Sequence, residues 1–158
     1  MRIAVLFTLL LGLAGSVRAD DSAVLSKGQH LYLPVYSHVW HGDRDKNGVP
    51  QKSLVSVLVS IRNTDLTRPI RITSARYYDT QGKMLAEYVT QPRTIGPLGT
   101  QELYVERKES VGGSGANFVI VWQADSPVNL PIIEAVHADI QGHRTLSFIT
   151  SARIIGAD

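Results

Sequence analysis

The feature that most constrains this chain is a period of two in its apolar residues. In SLVSVLVSIRN, Val55, Val57, Val59 and Ile61 occupy every second position, which puts all four side chains on one face of an extended strand. Their β-branched side chains suit a pleated surface better than a helix. Leu31, Leu33, Val35 and Val39 repeat the pattern upstream, Ile70 and Ile72 open a third strand that runs to Tyr78, and Leu103 and Val105 mark a further one. Turn residues separate these runs. Asn63 and Asp65 end the second strand, and Asp79-Thr80-Gln81-Gly82 reads as a tight turn into KMLAEYVT, with Gly82 expected at positive φ. The run NFVIVW is apolar on both faces, which predicts a central strand.

The segment from Pro131 to Gly142 fits two descriptions. Ile132, Ile133, Val136 and Ile140 trace a helical stripe with Pro at its start and Gly at its end. The β-branched residues, and the direct passage through Gly142-His143 into TLSFITSARII, favour a strand. The chain therefore reads as all-β, with about eight or nine short strands in an immunoglobulin-like two-sheet β-sandwich. Leu31, Leu33, Val35, Val57, Val59, Ile61, Ile70, Ile72, Val105, Val119, Val121 and Trp122 are expected to supply most of the core.

Ahead of the strands lies an export signature. Arg2 precedes an uncharged apolar run from Ile3 to Leu13, Gly15 and Ser16 break it, and Val17-Arg18-Ala19 offers modest side chains at the two positions a signal peptidase reads. Cleavage is expected after Ala19, dividing the chain into a signal-peptide helix at 1–19 and a single domain at 20–158. A run this short falls well below the roughly 20 residues needed to span a bilayer core, so no stable membrane anchor is expected. The chain has no cysteine; neither a lipid-modified cysteine nor a disulfide framework is open to it, and burial alone has to hold the domain. Loss of Arg2 and Arg18 brings the sixteen basic residues level with the fourteen acidic ones. A neutral domain without a basic cluster is a poor binder of nucleic acid or anionic lipid. A periplasmic location follows as the expectation.

The segments LYLPVYSHVWHGD, VSIRNTD, ARYYDTQGK, GGSGANFVIVW and PIIEAVH together resemble a family of bacterial exported proteins known only as a domain of unknown function. The likeness spans nearly all of the mature chain and implies no catalytic or binding residue. More loosely, residues 59–83 resemble the strand-turn-strand pattern of immunoglobulin-like modules in other envelope proteins.

Chemistry therefore has to come from individual residues. On the first strand His30, Tyr32, Tyr36, His38 and Trp40 alternate with the aliphatic positions, and His41 follows. Tyr36, His38, Trp40 and His41 are the expected binding residues, forming an accessible aromatic patch with Trp40 at its rim, because aromatic side chains dominate binding hot spots. The partner is expected to be another envelope protein or a small ligand. A second reading gathers His38, His41 and His137 around Zn²⁺ or Cu²⁺, although histidines three apart on a strand point to opposite faces and need a bend to share a metal.

Other motifs carry less. Asp43-Arg44-Asp45-Lys46-Asn47-Gly48 matches the first half of a calcium loop, but Leu54 stands where a bidentate Glu belongs, so a solvated hairpin loop is expected. Gly112-Gly113-Ser114-Gly115 lacks the strand-before, helix-after context of a nucleophile elbow and reads as a flexible loop. His137 and Asp139 form a hydrogen-bonded pair only if they share a strand face. No nucleophile stands at a recognisable spacing from them, and the chain is expected to be non-enzymatic.

Overall fold

The computed structural model describes residues 24–157; the expected signal-peptide helix and its cleavage point lie outside the described residues. These residues form an all-β fold of twelve strands in three antiparallel sheets, consistent with a β-sandwich and richer in short strands than the eight or nine expected. The larger sheet contains β1 (Leu25–Pro34), β5 (Ile70–Tyr78), β6 (Met84–Glu87), β7 (Arg93–Ile95), β9 (Asn117–Asn129) and β12 (Arg153–Ala157). Its order is β12-β1-β9-β5-β6, with β7 also pairing β5. The second sheet runs β11 (Arg144–Ser151), β10 (Ile132–Gln141), β4 (Ser56–Arg62), β8 (Thr100–Val105). A separate ribbon pairs β2 (His38–His41) with β3 (Gln51–Leu54).

The alternation is realised as read. Val55, Val57, Val59 and Ile61 are all buried, as are Leu31, Leu33, Val35, Ile70, Ile72, Leu103 and Val105. The Pro131–Gly142 segment is strand β10, paired on one side with β4 and on the other with β11 across the two-residue Gly142-His143 turn. β9 is central, between β1 and β5. Its inward residues are Phe118, Ile120 and Trp122; Val119, expected in the core, is only half-buried.

Gly82 has φ 81° and closes the β5–β6 turn, its N–H donating to the Asp79 carbonyl at 3.0 Å. Nothing crowds a Cβ there, so replacement acts through the backbone alone. Gly82→Val is expected to cost about 1–2 kcal/mol, the penalty for placing a branched side chain in the left-handed region. An unshifted urea midpoint would show that the turn can adopt another conformation.

The glycine-rich loop is a clamp, contrary to the flexible connection expected. Gly113 donates to Ser37 Oγ at 2.8 Å and accepts from Ser37 N at 3.0 Å. The Gly112 carbonyl takes Thr80 N and Thr80 Oγ1 at 2.9 and 3.0 Å, and Gly115 N donates to Thr80 Oγ1 at 3.1 Å. The backbones approach this closely only because Cβ atoms are missing: one built on Gly112 would lie 1.9 Å from the Tyr77 hydroxyl. Tyr77 is buried and donates to Glu109 Oε2 at 2.8 Å, so its ring has little room to retreat. Gly112→Ala is expected to destabilise by about 1–3 kcal/mol, the usual cost of overpacking. Gly96→Ala, where a Cβ meets nothing, is the neutral control in the same denaturation series.

Candidate functional site

The clamp fixes the stretch that leaves the sandwich. β1 stops at Pro34; Val35 N then bonds to Ala116 O at 2.9 Å, Ser37 is held by Gly113, and Val55 N donates to Ser37 O at 3.1 Å. Tyr36 sits between these anchors. Its N–H donates to His137 Nε2 at 3.1 Å, and its ring meets those of His137 and Phe148 edge-on, with centroids 5.7 and 5.6 Å apart. His137 and Phe148 are cross-strand partners on β10 and β11 and stack face to face at 4.3 Å.

The β2–β3 ribbon continues from this point. Val39 pairs with Ser53 and Trp40 with Lys52, so alternation puts Val39, His41 and Ser53 on one face and His38, Trp40 and Lys52 on the other. The first face looks onto β11, whose even residues are Arg144, Leu146, Phe148 and Thr150. Between them is an open pocket of about 310 Å³ with almost wholly apolar walls, lined by Tyr36, Val39, Leu146, Phe148 and Thr150. Its polar end lies one side-chain step along the strands, about 7 Å away at strand spacing. There Arg144 Nη2 donates to Ser53 Oγ at 3.1 Å, and Ser53 Oγ lies 2.9 Å from His41 Nε2.

The single face expected for Tyr36, His38 and Trp40 is therefore divided. The irregular backbone at residues 35–37 interrupts the alternation, so Tyr36 joins Val39 at the pocket while His38 and Trp40 turn to the far side of the ribbon. Trp40 is 44% exposed, packs edge-on to His38 at 4.9 Å, and has Lys52 Nζ 6.0 Å above its ring, the outer limit of a cation–π contact. His41 faces away from Trp40, towards Arg144. Ser53 and Arg144, which complete the polar end, gave no sequence signal; only the β2–β3 register brings them together.

The three histidines of the metal reading have separate surroundings. His137 is fully buried beneath Tyr36 and Phe148, His38 lies against Trp40, and His41 bonds to Ser53. Among the described residues no group of three or more His, Cys, Asp or Glu is placed to hold a metal ion. Burial pushes the His137 imidazole down to about 4, the backbone near Phe148 and Ala135 opposing only in part. Burial, and then the Lys52 charge, also lowers His38. Neither Nδ1 has a hydrogen-bond partner. Since His137 Nε2 accepts from Tyr36, the proton of the neutral ring belongs on Nδ1.

Asp139 shares the inner face of β10 with His137 but does not pair with it. Its carboxylate accepts from Gln141 and Arg107, both at 2.8 Å, and these bonds hold it below its ordinary range against the opposing effect of burial. Ser53 and His41 form the nearest approach to a nucleophile–base pair. Arg144 already occupies the serine oxygen, and among the described residues no carboxylate hydrogen-bonds His41 to orient it, as a catalytic dyad needs. In the loop that resembled a calcium site, Asp45 Oδ1 accepts from Asn47 N and Val49 N at 2.8 and 2.9 Å. The carboxylate is closing its own turn.

A larger concavity of about 530 Å³ is lined by Tyr88, Tyr104, Glu106, Lys108, Glu109, Ser110 and Val111. Its charges are satisfied internally, Lys108 by Glu106 and Glu109 by Tyr77 and Val111. That leaves less to recognise a ligand than the pocket beneath Tyr36 offers.

Residues 28–155 match the family described as "Protein of unknown function (DUF3124)". The chain belongs to this family. The DUF3124 match spans the sandwich, the ribbon and the whole of the pocket, as the segments quoted above implied. No curated protein matches it. Among solved structures, the one titled "Crystal Structure of Thermotoga maritima 1070" is similar with a TM-score of 0.44 and 10% identity, over 84% of this chain and 97% of that one.

Proposed function

We propose that this DUF3124 protein is a non-enzymatic binding module of the periplasm, and that it binds through the pocket between the β2–β3 ribbon and β11. The observation that carries the reading is the pocket itself: apolar walls left open to solvent beside a cluster of polar groups, the usual composition of a small-ligand site. Its walls are also held rigidly, by the Gly113–Ser37 clamp on one side and the His137–Phe148 stack on the other, which reduces the ordering cost of binding. The export signature at residues 1–19 supports the location. The sandwich would then serve as an immunoglobulin-like scaffold carrying its site at one end of the sheets.

A neutral solvatochromic dye, Nile red, tests the pocket. Its fluorescence is expected to rise with the native protein and with Trp40→Ala, and not with Leu146→Asp, at unchanged far-UV circular dichroism. Dye binding that survives Leu146→Asp would place the apolar site elsewhere. Recovery of the protein in the osmotic-shock fraction, shortened at residue 19, tests the compartment.

A further inference from the structure

Resting on that reading of the pocket, we propose that its ligand is an amphiphile with one anionic head, a fatty carboxylate, whose chain lies against Tyr36, Val39, Leu146 and Phe148 and whose head is held by Arg144. Along the even face of β11 an apolar wall ends in a guanidinium: Thr150, Phe148 and Leu146 line the pocket, and Arg144 comes next on that face. Among the described residues Arg144 has no salt-bridge partner. Asp139, whose carboxylate feels its charge, is already bonded to Arg107 and Gln141. What Arg144 does touch is Ser53 Oγ at 3.1 Å and His41 Nε2 at 3.5 Å.

That end of the pocket is suited to an acceptor-rich anion. A guanidinium offers five N–H donors in a fork that matches a carboxylate, and the hydrogen-bonded Ser53–His41 pair has one further donor to give. Among the described residues that line the pocket none is a cation, and at the opposite end Thr150 Oγ1 is committed to the Pro34 carbonyl at 2.6 Å. A ligand with charge at one end and hydrocarbon along its length matches this polarity. A neutral apolar ligand would leave the guanidinium idle, and a cationic one would be repelled by it.

Decanoate and decanol, titrated separately by calorimetry into the full mature chain, separate the head from the chain. The native protein is expected to prefer decanoate by about tenfold, the scale of one charge-assisted hydrogen-bonded contact, with the preference shrinking as salt is raised. Arg144→Gln should abolish the preference by weakening decanoate far more than decanol, while Arg144→Lys should retain part of it; melting curves confirm that each variant folds. Equal affinity for the two probes, a preference that persists in Arg144→Gln, or no binding of either would overturn the inference. The pocket reading fails separately, if Leu146→Asp still binds both probes as the native protein does.

Discussion

Acidification from pH 7 to pH 4 is expected to remove about 3 kcal/mol of stability through His137 alone, at 1.36 kcal/mol for each unit between an unfolded value near 6.5 and the folded value of about 4. The folded imidazole is neutral where the unfolded one is already protonated. The unfolded state therefore binds the extra proton, and stability is complete above about 6.5 and lost as the pH falls towards 4. The physical cost is specific. Protonation turns Nε2 from an acceptor into a donor aimed at the Tyr36 N–H, inside a fully buried site. His38 contributes in the same direction, being lowered by burial and by Lys52. Carboxylates such as Asp65, held down chiefly by the Thr67 amide, and Asp139 act lower still: their contributions are present above the ordinary carboxylate range and disappear only as the pH falls through it. Chemical denaturation of the native protein and His137→Gln between pH 7 and 4.5 isolates the histidine. The glutamine variant should lose most of the slope, and parallel curves would show that His137 titrates normally.

Trp122→Ala is expected to destabilise the domain by about 3–5 kcal/mol, a large share of the 5–15 kcal/mol that holds a typical domain folded. Trp122 leads the fully buried side chains by volume and stands on the central strand, with Gln29 of β1 and Ile72 of β5 as its lateral partners. Its indole N–H donates to Gln29 Oε1 at 3.3 Å, so truncation leaves both a cavity and a buried amide oxygen without its donor. Trp122→Phe refills most of the cavity but not the hydrogen bond, and should cost less. Urea midpoints measure both variants. A loss below about 1 kcal/mol for the alanine form would mean that the two sheets collapse around the gap.

The sequence reported the core well wherever the two faces of a strand differ in side-chain chemistry. Val57, Val59 and Ile61 alternate with Leu58, Ser60 and Arg62, and that contrast alone fixes which way the strand faces. β9 lacks the contrast. With Phe118, Val119, Ile120, Val121 and Trp122 all apolar, the inward set cannot be told from the outward one without knowing the neighbouring strands. The candidate site was half legible for a related reason. Tyr36, His38 and Trp40 stand out as aromatic and imidazole positions, but a period of two assigns them one face only while the strand continues. The backbone breaks step at residues 35–37, where its hydrogen bonds go to Gly113 and Ala116, more than seventy residues away in sequence. His137 was visible as a candidate metal ligand and a candidate partner of Asp139, whereas its bond to the Tyr36 amide is a tertiary contact with no local trace. Arg144 carries no sequence signal, because its surroundings come from what β11 is packed against.

β1 is bonded on one side to β9 and on the other to β12, and both partners lie in the last third of the chain. During N-to-C synthesis the strand that carries Leu31 and Leu33 has no edge to join until residues 117–129 have been made. Earlier segments can form the β2–β3 and β5–β6 hairpins and the β5–β7 and β4–β8 pairs, but none of these takes in β1. Folding should thus be a late event for the whole domain, slow as expected for non-local strand pairing. It leaves a long interval in which the polypeptide is still threadable and its apolar strands need protection from one another.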